Sequence, residues 1–158
     1  MTKREQAENH ISLSCRQLHK NSVTSKTIEL VESLSLVISA EDRTKLSIKL
    51  MKNINRIFGT PPCTVCVHDA VSPRQRHVEK IFGQYIAEYK GEDDFVGSMI
   101  EIWNKDRRGH RVSNKSFLST LLHEYIHHYD HHCLKIKIPN HGCGFFARYR
   151  HLVELIHR

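Results

Sequence analysis

The chain has 158 residues, 39% hydrophobic and 26% charged, with few Gly or Pro, which is the make-up of one globular domain large enough to bury a core. No stretch approaches the roughly 18 apolar residues of a membrane span. The opening Met-Thr-Lys-Arg-Glu-Gln has no apolar run behind its charges, so the expectation is an intracellular protein, cytoplasmic or nuclear, neither secreted nor membrane-bound. Lys and Arg number 24 against 17 Asp and Glu, a net charge of +7. That excess suits a polyanionic partner such as DNA without requiring one, because the basic residues are scattered.

Residues 1–25 are polar and rich in Ser, Lys and Asn, and read as a flexible arm with at most a helical turn near Ile11 to Leu18. Residues 26–158 read as one domain. Ile28, Val31, Leu34 and Val37 recur at helical spacing and predict a first amphipathic helix. Ser39 and Asp42 predict the start of a second, with Leu46, Leu50, Ile54 and Ile57 as its stripe and Gly59, Pro61 and Pro62 as its stop.

The period then shortens. Thr64 to Val67, Tyr85 to Tyr89 and Ser98 to Trp103 are β-prone, and Lys90 to Asp94 supplies turn chemistry for a hairpin. Ser72 to Phe82 fits either a short capped helix or a long connection. A polar loop from Lys105 to Asn114 leads to a helix over about Lys115 to His131, capped by Ser113 or Asn114. A short linker follows, and a last helix runs over about Gly144 to Ile156. The expected fold is therefore α+β: N-terminal packing helices, a small antiparallel sheet of about three strands, and two further helices.

Six of the 13 histidines fall between positions 123 and 141, a concentration that points to metal chemistry. Within it, His123-Glu124-Tyr125-Ile126-His127 is His-Glu-x-x-His on the predicted helix. Residues four apart lie one turn apart on one face, so both imidazoles can reach one ion. Glu124 sits beside that face, where a carboxylate takes a proton from water rather than ligating. Zinc suits such a pair, and a catalytic zinc needs a third protein ligand. His131 lies one turn further on, but three ligands on a straight helix splay apart. His141, in Pro139-Asn140-His141-Gly142-Cys143-Gly144, is the better candidate, because a glycine-rich turn can swing it back over the helix.

Leu-Leu-His-Glu-x-x-His-x-Tyr followed by His-Gly-x-x-Phe and a basic, apolar helix resembles the SprT-like (Spartan-type) metallopeptidases, over roughly residues 45–158 and most specifically at their end. The resemblance implies a zincin-like core with one zinc per chain on His123, His127 and His141, and Glu124 as general base. It implies hydrolysis of peptide bonds in protein substrates, including proteins crosslinked to DNA. The alternative is a non-catalytic zinc-binding module, interacting with DNA or regulatory, on the same fold.

The mechanism also needs a donor to the tetrahedral oxyanion, for which Tyr149, Arg148 and His151 stay open. Asp130, three residues after His127, is a candidate to orient that imidazole. Arg107, Arg108, Arg111 and Lys115 could form a rim for nucleic-acid phosphates. Cys15, Cys63, Cys66, Cys133 and Cys143 are an odd set in a chain expected to stay in a reducing compartment, so no disulfide framework is expected. Cys63-Thr-Val-Cys66 enters a β-prone run that sends its sulfurs to opposite faces, and reads as ordinary strand cysteines.

Overall fold

A computed structural model of the chain describes residues 1–73 and 82–157. The elements are α1 (Lys3–Ser14), α2 (Ser25–Leu34), α3 (Ala40–Phe58), β1 (Thr64–Val71), β2 (Gly83–Tyr89), β3 (Phe95–Lys105), α4 (Asn114–Cys133) and α5 (Cys143–Ile156). The fold is mixed α+β. Positions 74–81, most of the stretch open to two readings, lie outside the described residues.

Helix boundaries follow their capping residues. Ser39 accepts from the Asp42 amide at the start of α3, and Gly59, at φ 68°, ends it in the left-handed region that favours glycine. Ser113 caps α4 by accepting from Ser116 N. The first 25 residues depart from the flexible arm expected of them. Thr2 and Glu5 form a reciprocal capping box that starts α1, and α1 packs on α5. Composition hid this helix because its docking face is polar: its buried residues are Glu8 and Ser12.

The sheet has the order β1-β3-β2. β2 and β3 form the expected hairpin, with Tyr85 opposite Ile100 and Gly83 opposite Ile102. β1, however, runs parallel to β3, with Val65 opposite Ile100 and Val67 opposite Ile102. The sheet is thus mixed, not antiparallel. β3 is the most buried strand and takes the centre, and β1 docks on its free edge. Apolar alternation in β1 selects its buried face and carries no information about direction.

α3 packs against β1, α4 covers β2 and β3, and α5 lies on α4. The shared core includes Leu50, Ile54, Ile100, Ile102, Leu121, Ile126 and Leu152, all with 0% exposure. Each such side chain contributes roughly 1.5–3 kcal/mol by leaving water. Arg43 is 1% exposed. Its guanidinium donates to Asn104 Oδ1, Val112 O and Asn114 Oδ1, fastening both ends of the 105–113 loop ahead of α4. Among the described residues no helix is long and apolar enough to cross a membrane.

Candidate metal centre

α4 buries Leu121, Leu122, Tyr125 and Ile126 against the sheet, leaving His123 and His127 half-buried at the edge of the core. His141 arrives from the loop between α4 and α5, one residue before Gly142, the N-cap of α5. Its Nε2 lies 3.2 Å from Nε2 of His123 and 2.8 Å from Nε2 of His127. Phe145, fully buried, places its ring 4.6 Å from that of His127 and 4.8 Å from that of His123, an apolar floor under all three imidazoles.

Three imidazole nitrogens within 4.8 Å of one another fit a metal ion. Tetrahedral coordination with bonds of about 2.05 Å would set neighbouring nitrogens about 3.3 Å apart, close to the separations seen. Burial, then the neighbouring histidines, pushes His127 down to about 3 and His123 down to about 4. Both rings are therefore neutral near pH 7 and keep a lone pair for a ligand bond. Among the described residues this trio is the group able to hold an ion, and none of the five free cysteines joins it.

Glu124 is 6% exposed, and burial alone pushes its carboxyl up to about 8. The chain approaches it closely at Gly83: a Cβ there would sit 3.2 Å from Glu124 Cγ and 2.6 Å from Thr120 Cγ2. The β-prone run read from the sequence begins at Tyr85, whereas β2 begins two residues earlier, at Gly83. A glycine just ahead of a β-prone run is a signal of close approach.

The remaining candidates separate. Arg148 is fully buried and cannot serve an oxyanion: its Nε and Nη2 each donate to Asp130 at 2.7 Å, and its Nη1 donates to Ser12 O and Cys15 O. Asp130 is correspondingly turned to Arg148, and not to His127. Two residues read separately from the sequence are one ion pair. His151 accepts from the Leu18 amide through Nδ1 at 3.0 Å, away from the trio. Tyr149 stays near the site, its ring 6.4 Å from that of His123 and its hydroxyl 2.7 Å from Ser119 Oγ.

His131 pairs with Tyr89, and His128 with Tyr85 and Pro61 O, so neither joins the trio. Arg107, Arg108 and Arg111 are exposed in the loop ahead of α4, and Lys115 is exposed in its first turn. Lys115 lies about 12 Å along the helix axis from His123. On the other side of His127 opens a cleft of about 350 Å³. Tyr85, Tyr89 and Ile138 line it, with Arg4 and Lys137 also on its wall. Comparison with protein families, curated proteins and solved structures gives no match to this chain.

Proposed function

We propose that the chain is a zinc metalloendopeptidase of the SprT-like type, with a zincin-like core, that hydrolyses peptide bonds of protein substrates. One observation carries this reading: three imidazole Nε2 atoms converge, and the residue next to one of them on the same helix, Glu124, is a buried carboxylic acid. A purely structural ion would have no use for that carboxylate.

Bound to His123, His127 and His141, zinc would supply a Lewis acid for the scissile carbonyl and a water ionisable near neutrality. Burial raises the Glu124 carboxyl, and a dication held by the neighbouring histidines would oppose that rise; as the carboxylate, Glu124 takes the proton of the attacking water and returns it to the leaving amine. Its backbone is fixed in α4, and the lack of a side chain at Gly83 leaves the room that the glutamate side chain occupies. Phe145 and the apolar face of α4 keep bulk water from one side of the trio. Tyr149, the one of the three candidate donors whose ring lies near that of His123, is assigned to the oxyanion. The cleft beside His127 receives a substrate side chain. DNA-associated or DNA-crosslinked proteins are the substrate class that would use the charge of +7.

The test is cleavage of an unfolded protein such as denatured casein by zinc-loaded chain, with and without DNA, for wild type and Glu124→Gln. The expected result is cleavage by wild type and a loss of at least about a hundredfold in the variant, with one zinc retained in both. Wild type that holds zinc and cleaves nothing in either condition would replace this reading with the non-catalytic zinc-binding module.

A further inference from the structure

His123 and His127 are fixed by α4, whereas His141 comes from irregular chain between α4 and α5. Its ring is exposed and packs against His123, His127, Phe145 and Phe146. What holds the loop in place comes from elsewhere. Near α4 the loop is secured locally: Lys135 takes the left-handed φ of 58°, and the Ile136 amide donates to Asp130 O at 3.0 Å. From Lys137 onward, α1 takes over.

Glu8 of α1 is 7% exposed. Its Oε1 accepts from the Lys137 amide at 3.3 Å and its Oε2 from the Ile138 amide at 3.1 Å. Asn140 Nδ2 donates to Asn9 Oδ1 at 3.0 Å, while Asn140 Oδ1 accepts from the Gly142 amide at 2.8 Å. One side chain therefore ties α1 to the residues on both sides of His141. Beyond it, Gly144 lies so close to α1 that a Cβ there would sit 1.8 Å from Ser12 O.

We infer that α1 is part of the metal site, with Glu8 and Asn9 as positioning residues that hold the 137–142 segment so that His141 completes the trio. The inference rests on the metal reading above. Ordering an irregular segment opposes ligand binding, and the opposition falls when the segment is ordered beforehand. A carboxylate accepting two backbone amides is a charge-assisted contact, stronger than a neutral one. Contacts behind a ligand commonly govern about 10–100-fold in metal affinity.

The experiment is zinc affinity by competition with a chromophoric chelator, for Glu8→Ala, Glu8→Gln and Asn9→Ala, each alone and combined with His141→Ala. Glu8→Ala and Asn9→Ala should each weaken zinc about tenfold or more, with Glu8→Gln, which keeps one carbonyl oxygen, in between. In the His141→Ala background the same changes should have no further effect, because contacts acting through one residue are not additive with its loss. Amide exchange over residues 137–142 should rise in the single variants without metal. Equal weakening in both backgrounds would make α1 a merely structural element and overturn the inference. So would unchanged affinity in folded variants. Should Glu8→Ala fail to fold, the half-buried Asn9 carries the same cycle. Wild type that takes up no zinc would overturn the metal reading and this inference together, whereas wild type that binds zinc alongside unaffected variants would overturn this inference alone.

Discussion

Nε2 of His127 and Nε2 of His141 stand 2.8 Å apart, although the first belongs to a helix and the second to a loop 14 residues further on. Two neutral imidazoles cannot both aim lone pairs across that distance. A proton or a cation must lie between them, and His123 at 3.2 Å from His141 makes a cation the better fit.

The first prediction follows from this. Whatever binds the folded chain alone stabilises it, by about 4 kcal/mol when the free ligand stands a thousandfold above its dissociation constant. Zinc at that excess should raise the unfolding free energy of wild type by about that amount, read from urea melts with zinc and with EDTA. His141→Ala should lose most of the increment at the same free zinc. An identical increment in wild type and variant would remove His141 from the site.

Arg148 and Asp130 form a forked, fully buried ion pair between α5 and α4. Burial pushes the Asp130 carboxyl up, and the guanidinium opposes that rise. Removing one partner strands the other charge in the core, which costs about 3–5 kcal/mol. Asp130→Asn should therefore lower unfolding free energy by about that much in EDTA, where no metal contributes. A loss under about 1 kcal/mol would mean that water reaches the pair.

Both of these relationships join residues that no local pattern connects. The helices were legible because caps and stripes are local: Ser39 with Gly59, and Ser113 with the Leu121-to-Tyr129 face. His-Glu-x-x-His was legible because four residues make one helical turn. The direction of β1 was not, since its partner β3 starts more than 20 residues away and alternation is blind to polarity. α1 was missed through its polar docking face, although Thr2-Lys-Arg-Glu5 is a capping-box signature that marks a helix start. Arg148 and Asp130 each looked like active-site chemistry, because a sequence does not reveal that two charged groups satisfy one another.

Gly83 supports a third prediction. In Gly83→Ala the new methyl would meet Thr120 Cγ2 at 2.6 Å and Glu124 Cγ at 3.2 Å. Overpacking of this kind costs about 1–3 kcal/mol, and relief by rotation would displace Glu124. Stability should fall by that amount in urea melts, and any cleavage should fall further than stability explains. Thr120→Ser removes the offending methyl and keeps a hydroxyl for its bond to Ser116 O. In the Gly83→Ala background it should recover part of both losses. Failure to recover either would place the strain at Glu101 O or Glu124 Cγ, each 3.2 Å from the same methyl, and not at Thr120.

The fourth prediction concerns acid. His132, on α4, packs edge-on against Phe95 at 4.5 Å and lies 4.6 Å from His128. Its Nε2 is buried with no hydrogen-bond partner among the described residues. Burial, then His128, His131 and Lys135, pushes it from 6.5 down to about 4. In the unfolded chain the ring takes a proton below about 6.5. In the fold it stays neutral until about 4. The unfolded state thus binds more protons through this window, and stability must rise with pH across it. The contribution is complete above the unfolded value and is lost as pH falls toward 4. Urea midpoints in EDTA should accordingly drop between pH 7.5 and 5 for wild type, and drop less for His132→Phe, which keeps an aromatic ring and cannot titrate. His128 and His131 titrate in both proteins, so the difference between the two slopes isolates His132. Parallel slopes would mean that water reaches the ring in the folded state and that its proton affinity is the same before and after folding.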